Sequence, residues 1–389
     1  MEARTWLDRN APRTPRPPGD SSEAAAFDRS WQRQLYDGGW AGLNWPKEHG
    51  GRGLSGIEQM IWLEECAKTS GPLASANNIG SSNTTNIGLA MAGPTLIARG
   101  NDQQRREHLL PILKGERVWC QAFSEPGAGS DLAAVKTRGE IVGNSLVING
   151  QKMWTSKAQH SDYQVLLIRT DSAAKGHKGL TYVLCDLRSP GLDIRPVKLM
   201  SGERTVNLLF YDNVRVPLAN VVGNVGEGWS VAMSTLMFER GIAQFPELLG
   251  ISEKLNVLIE IARKTRQAAS GRLFIEDDEI RRRLARLKAD VIAIRAMTIA
   301  SMSQIARAGQ PGPGDSSIMK LYISATYKAV TELSASILGW NLFEYGEDRT
   351  TNQWTYDFMW SWALTVAGGS NEILREVIAD RMLELPRAR

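Results

Sequence analysis

The hydrophobic period of this chain changes twice, and that double switch limits its fold more than any single motif. Up to about residue 117, apolar residues recur at helical spacing. From Val118 the text becomes short, β-branched and aromatic. "SLVINGQKMWTS", "YQVLLIRTD", "GLTYVLCDL" and "VNLLFYDNVRVP" are runs of strand length separated by turn residues. At Gly226 the helical period returns and holds in long segments. The expected class is mixed α and β in three units: an N-terminal α-helical domain (1–117), a central β-barrel-like domain (118–225) and a C-terminal four-helix bundle (226–389). A chain of 389 residues can give each unit a core.

Local signals fill in this outline. Asp20 with Glu23, and Ser55 with Glu58, have capping-box spacing, and Phe27, Trp31 and Leu35 follow the first box on one helical face. "DGGWAGLNWPKEHGGRGLS" holds six glycines and a proline, which predicts a long loop before a helix through Cys66. The Pro-rich piece near the N-terminus reads as an extended lead-in. Asn149-Gly150 predicts a turn between strands. The bundle helices fall at approximately 228–268, 276–308, 316–339 and 353–385. Pro246 kinks or interrupts the first, and the loops "GQPGPGD" and "NLFEYGEDRTTNQ" separate the later ones.

Composition narrows the function classes. A net charge of +4 suits an anionic small molecule and leaves no footprint for nucleic acid. Cys66, Cys120 and Cys185 form no C-x-x-C pair, which fits reduced thiols rather than a disulfide framework. The four histidines stand apart without metal-ligand spacing, so no metal is expected. No apolar run reaches the length of a membrane span, and the N-terminus has no apolar signal core. The expected location is cytoplasmic.

Three stretches carry chemistry. In "QAFSEPGAGSD" (121–131), Pro and closely spaced glycines force a tight turn with bare N–H groups and hydroxyls at Ser124 and Ser130. In "INGQKMWTSKAQHSDY", Trp154 with Thr155 and Ser156 can cover one face of an aromatic cofactor while a hydroxyl meets its polar edge. In "LTVAGGSNEILREVIADRMLEL", Gly368 and Gly369 precede Ser370, Asn371 and Glu372, which places backbone N–H groups at a helix N-terminus. Taken singly, the first two read more readily as a surface turn and a packed tryptophan.

Together, "SEPGAGSD", "INGQKMWTS" and "GGSNEILR" in an α–β–α chain of this length resemble the acyl-CoA dehydrogenase family, over nearly the whole chain. The resemblance implies FAD between the β domain and the bundle. The reaction it implies is α,β-dehydrogenation of an acyl-CoA thioester to the trans-2-enoyl-CoA, as in fatty acid or lipid catabolism and β-oxidation. The α-proton goes to a carboxylate and the β-hydride to flavin N5. It further implies an electron-transfer flavoprotein as acceptor and a homodimer or homotetramer. By position, Gln121, Ala122, Phe123 and Ser124 lie along the flavin, Trp154 and Thr155 pack at its ring, and the Ser156 hydroxyl approaches N5. Ser130 touches the CoA portion. Ser370, Asn371 and Glu372 form a cap against FAD, with Gly369 on the substrate side.

Two positions depart from the family pattern. Many relatives carry the catalytic Glu just before the Gly-Thr of the cap, where this chain has Gly368. Glycine cannot accept a proton, although its N–H can polarise the thioester carbonyl. The isovaleryl-CoA and long-chain dehydrogenases draw the Glu instead from the first bundle helix, just before an Arg. "VAMSTLMFERG" has Glu239 and Arg240 at that place, so Glu239 is the expected base and Arg240 is expected near CoA. Among Leu236, Met237 and Phe238, its carboxylate would have a raised pKa once substrate expels water. The second departure concerns distal FAD. "TRQAASGRL" puts Arg266 one place out of register, with Arg272 as a substitute, and "SILGWNL" lacks the Q-x-x-G-G-x-G residues.

This pattern resembles actinobacterial dehydrogenases built as unlike-subunit heterotetramers with FAD at only some interfaces. Two further readings follow: a non-catalytic or half-site subunit of such a heteromer, and a flavin oxidase or monooxygenase on the same fold. Acyl length, branching and ring content are not written in these motifs.

Overall fold

The structure is a computed structural model of the whole chain. It describes all residues except 15, 18–20, 70–82, 240–244, 309–314, 344–352 and 387–389, and the side chains of 239, 308, 315, 341 and 343 are also outside it. The chain forms two compact units. Unit 1 holds 1–54 and the described residues of 83–239, and unit 2 holds Ser55–Thr69 with the described residues from 245 onward.

Unit 1 begins with α1 (Glu2–Asn10), a helix ahead of the expected lead-in, whose Leu7 is buried. The helix α2 (Ser22–Asp37) starts one residue later than its capping box suggested. Ser21 is the N-cap and accepts from the Ala24 N–H, and Asp20 lies outside the described residues. The glycine-rich loop after α2 is ordered around Trp45, which is buried and donates from Nε1 to the Leu89 carbonyl at 3.1 Å. A Cβ on Gly51 would meet the Trp45 carbonyl oxygen at 2.2 Å, so glycine there is a packing requirement. After a π-helical turn at Gly88–Ala92 come α4 (Gly93–Arg99) and α5 (Asp102–Leu113), the latter with an Asn101/Gln104 capping box.

The β region is a seven-stranded curled sheet: β1 (Trp119–Ala122), β2 (Arg138–Val142), β3 (Ser145–Ser156), β4 (Tyr163–Arg169), β5 (Leu180–Asp186), β6 (Leu192–Val197) and β7 (Val206–Pro217). The order is β1-β4-β2-β3-β7-β6, and β5 lies along the other edge of β4. Both faces of β4 and β5 are covered, which explains their unbroken apolar text. Val165, Leu167, Tyr182 and Leu184 face one core with Trp45, Leu113 and Trp119. Leu166, Ile168, Val183 and Cys185 face a second with Leu146, Ile148 and Val214.

Asn149-Gly150 is not a turn. The hairpin between β2 and β3 is at Gly143-Asn144, and β3 runs through Asn149-Gly150 without a break. Gly150 is needed for close approach, since a Cβ there would sit 2.7 Å from Thr137 Oγ1. The Asn149 carboxamide is used across the sheet, accepting from the Asn213 N–H at 2.9 Å beside a bulge in β7. Unit 1 closes with α6 (Gly228–Glu239), whose Val231 and Ala232 join the first core.

Unit 2 contains α3 (Gly56–Lys68), opened by the expected Ser55/Glu58 capping box, and the bundle helices α7 (Phe245–Lys264), α8 (Asp278–Ala308), α9 (Asp315–Leu338), α10 (Gln353–Leu364) and α11 (Asn371–Arg381). The first expected bundle helix is therefore two, α6 and α7. Pro246 occupies the first turn of α7, where its missing N–H has no helical partner to lose. The last expected helix also divides, because Thr365–Gly369 turns between α10 and α11. "GQPGPGD" falls almost entirely outside the described residues. The core of unit 2 joins Met60 of α3 to Leu248, Leu255, Ile294, Val330 and Leu333. No described helix is long and apolar enough to cross a membrane.

Candidate flavin and acyl-thioester site

In unit 1 the site starts at the end of β1. Gln121 and Ala122 are strand residues, Ala122 and Phe123 are buried, and Ser124 is half-buried. The next residues make the expected tight turn. Glu125 N–H donates to the Ala128 carbonyl at 2.9 Å and Ala128 N–H returns to the Glu125 carbonyl at 3.1 Å, with Pro126-Gly127 at the exposed tip. Cβ atoms on Gly127 or Gly129 would meet nothing within 4 Å, so this edge is open. Ser130 is exposed beyond it.

The second stretch meets this turn directly. Met153 N–H donates to the Ser124 carbonyl at 2.9 Å. At that point β3 carries a bulge, since Lys152 pairs Leu209 and Thr155 pairs Asn207, leaving Met153 and Trp154 opposite one residue. Trp154 sits on the bulge with φ 60° and is 54% exposed. A bulky residue in the left-handed region costs about 1–2 kcal/mol, and bulges re-aim side chains beside functional sites. Thr155 is fully buried and Ser156 half-buried.

Several polar atoms here are buried without a hydrogen-bond partner among the described residues: Gln121 Oε1, Thr155 Oγ1, Thr205 Oγ1 and Asn207 Oδ1. Native proteins leave few such atoms unpaired, and a cluster of them marks a place where a polar ligand edge completes the bonding. The orphaned Thr155 and Asn207 oxygens next to the bulge of a raised, half-bare tryptophan fit the polar rim and flat ring of a flavin.

Sequence reading missed what holds these two stretches together. Lys152 is fully buried in β3, and Nζ donates to the Phe123 carbonyl and to Glu125 Oε1, each at 2.8 Å. Glu125 also accepts the Lys136 N–H at 2.7 Å and the Thr137 N–H at 2.9 Å. Burial pulls the Lys152 ammonium down to about 8, with Glu125 opposing that shift. Burial would raise the Glu125 carboxyl, but Lys152 and the backbone donors outweigh it and hold it below its usual value. The legible signal was a lysine at an inward-facing position of a strand.

Unit 2 holds the cap. Gly368 and Gly369 have φ of 67° and 98°, and Ser370 caps α11 by accepting from the Ile373 N–H at 3.3 Å. The Gly368 N–H has no acceptor among the described residues. Asn371 is buried and Glu372 exposed. A second buried lysine, Lys320 of α9, fixes this turn. Its Nζ donates to the Gly369 carbonyl at 2.7 Å and to Asn371 Oδ1 at 3.3 Å, and Ser324 Oγ donates to Asn371 Oδ1 at 2.9 Å. Further along the same helix, Tyr327 OH donates to the buried Asp357 carboxylate at 2.9 Å, which is also paired with Lys254 of α7.

Glu239 is the last residue of α6. Its side chain and the whole of Arg240 lie outside the described residues. The two displaced arginines are spent locally, with Arg266 donating to the Gly271 carbonyl at 2.7 Å and Arg272 to the Glu276 carbonyl at 2.6 Å.

An exposed aromatic on a bulge, a glycine-rich turn and unpaired buried polar atoms are features that a flavin-type oxidoreductase site would use. Comparison with known proteins agrees with that class. Family models for the N-terminal, middle and C-terminal domains of acyl-CoA dehydrogenases match residues 2–116, 120–214 and 226–383. The acyl-CoA dehydrogenase IpdE1 of Mycobacterium tuberculosis is 38% identical over 95% of this chain and 91% of its own. Among solved structures, the Tcur3481-Tcur3483 steroid ACAD has a TM-score of 0.83 at 29% identity, covering 100% of this chain and 96% of its own. The ChsE4-ChsE5 complex from Mycobacterium tuberculosis has a TM-score of 0.81 at 28% identity, covering 100% and 96%. The chain belongs to the acyl-CoA dehydrogenase family, and is an oxidoreductase of the flavoprotein type with that three-domain fold.

Proposed function

We propose that this chain catalyses FAD-dependent α,β-dehydrogenation of an acyl-CoA thioester, with Glu239 as the base. The observation that carries this reading is Trp154, strained and half-bare next to the unpaired Thr155 hydroxyl. Gln121, Ala122, Phe123, Ser124, Trp154, Thr155 and Ser156 are assigned to the flavin, as are Ser370, Asn371 and Glu372. Bound FAD supplies the acceptor for the β-hydrogen. The chain's own work is proton removal and charge stabilisation. Glu239 takes the α-proton, and the unpaired Gly368 N–H donates to the thioester oxygen as negative charge develops there. Ser130, Arg240 and Gly369 are assigned to substrate, and an electron-transfer flavoprotein to reoxidation.

The substrate class favoured is a ring-bearing acyl-CoA, since one similar structure is named a steroid ACAD. Assembly with a related dehydrogenase subunit is favoured over a homotetramer by a specific observation. Arg266 and Arg272, the residues available for distal FAD, are bound to their own loop, and two similar structures carry paired subunit names.

The test is an anaerobic screen of acyl-CoAs, aliphatic and steroid-derived, that follows flavin absorbance. Substrate should bleach the wild-type flavin. Glu239→Gln should keep the flavin and lose bleaching by at least about a thousandfold, the scale of an essential acid–base group. Turnover retained in Glu239→Gln removes it as the base. A chain that takes up flavin only with a partner subunit supports the heteromer.

A further inference from the structure

The Lys152–Glu125 pair is placed where stability alone does not call for it. A lysine in the middle of a covered strand is costly to bury, and well-packed apolar residues often replace such pairs without loss. Its geometry instead joins both cofactor stretches. One ammonium reaches the last residue of the β1 exit (Phe123) and the first of the glycine-rich turn (Glu125), each at 2.8 Å. The carboxylate is in turn seated on the Lys136 and Thr137 N–H groups. Because two backbone donors already face the carboxylate, the charges cannot simply be exchanged. Between Phe123 and Glu125 lies Ser124, whose carbonyl receives the Met153 N–H from the Trp154 bulge. The Phe123 carbonyl and the Ser124 N–H belong to one peptide, and that N–H has no acceptor among the described residues.

We propose that Lys152 and Glu125 are positioning residues for the flavin, locking the Ser124 turn and the Trp154 bulge into one preformed clamp. The ammonium on the Phe123 carbonyl also polarises that peptide, so the Ser124 N–H is a stronger donor to an electron-rich ring edge. This inference rests on the flavin reading given above. Neither residue touches the reacting atoms, so both act through Ser124 and Trp154. The charge carries a second consequence. A flavin bound against the Ser124 N–H would meet this polarised peptide, which would favour its reduced, anionic form over the oxidised one.

The experiment compares wild type, Lys152→Met and Gln32→Ala. Gln32 is a buried side chain of α2 that donates to the Leu113 carbonyl and serves as a control for general loss of stability. Three readouts are taken on the purified protein, with its partner subunit where one is needed: melting temperature, FAD affinity of the deflavinated protein, and flavin midpoint potential. Lys152→Met should bind FAD at least about tenfold more weakly, a change of about 1.4 kcal/mol. Its potential should become more negative, by about 30 mV for each tenfold lost in preference for reduced flavin. Gln32→Ala should lower the melting temperature and leave both flavin readouts at wild-type values. If Lys152→Met binds FAD within twofold of wild type at an unchanged potential, the clamp is overturned while the flavin reading stands. If wild type takes up no flavin with or without a partner, the flavin reading itself fails and takes this inference with it. Should Lys152→Met not fold, Glu125→Gln replaces it. FAD should again bind at least about tenfold more weakly, while the potential should move in the positive direction because the ammonium is kept and its counter-charge lost. Binding within twofold of wild type at an unchanged potential overturns the clamp.

Discussion

Replacing Trp154 by glycine should harm the fold less than replacing it by alanine, the reverse of the usual order. The residue has φ 60° and is 54% exposed, so a little under half of its surface is covered. A buried Trp accounts for roughly 150–250 Å². About half of that, at roughly 25 cal/mol per Å², is worth about 2–3 kcal/mol. Both substitutions forfeit this packing. Glycine alone recovers the left-handed backbone penalty, about 1–2 kcal/mol. Against that, its unfolded chain is freer than alanine's by about 0.4–1 kcal/mol. The balance leaves Trp154→Gly more stable than Trp154→Ala by roughly 0.5–1 kcal/mol, whereas in ordinary strand backbone glycine is the weaker residue by a similar amount. Urea unfolding of the two flavin-free variants, followed by far-UV circular dichroism, measures the difference. Both variants should also bind FAD more weakly than wild type. An alanine variant equal to or more stable than glycine would refute the strained bulge, and with it the claim that Trp154 is held out for a ligand.

His108 gives a pH-dependent prediction. It is buried against Trp119 and Tyr163, and Arg117 Nη1 lies 2.8 Å from its Nδ1. Burial, then the Arg117 charge, pulls its pKa down to about 4. The unfolded chain binds this proton below about 6.5 and the folded one only near 4, so stability falls as pH drops through that window. The loss approaches about 3 kcal/mol at most, and denaturant midpoints of His108→Gln should show a shallower acid slope than wild type. In unit 2, Asp357 is 3% exposed and paired with Lys254, Tyr327 and Gln353 from three helices. Asp357→Asn takes the counter-charge from the partly exposed Lys254 ammonium and weakens the buried hydrogen bonds from Tyr327 and Gln353, and should cost about 1.5–3 kcal/mol, read as a lower melting temperature.

The sequence made the α, β, α order legible because period 2 and period 3.6 separate cleanly once both faces of β4 and β5 are counted as buried. It made Ser55/Glu58 legible because a capping box is local chemistry. Asn149-Gly150 misled because the same dipeptide serves a turn or a close approach, and Thr137, which decides between them, is a strand away. The division at Thr365–Gly369 was half visible, since the Gly-Gly-Ser cap was read but the helix was carried through it. In the site, Trp154 and the glycine-rich turn were legible as motifs, whereas their supports were not. Lys152 and Lys320 look like ordinary charges until tertiary packing buries them against carbonyls about thirty and fifty residues away in the chain.

The left-handed backbone at Gly368 also bears on how such a site changes over evolutionary time. Relatives with a glutamate at this place and chains with glycine are one residue apart on paper. Here the position has φ 67°, where any L side chain is strained by about 1–2 kcal/mol. A lineage that moves its proton acceptor to α6 is free to let this turn relax into a shape only glycine tolerates. Once it has done so, a mutant that regains Glu at 368 meets a backbone no longer built to carry it. With Glu239 as the base, as proposed, its relocation would work as a ratchet, and reversal would need the turn, Lys320 and its carbonyl contact to change together.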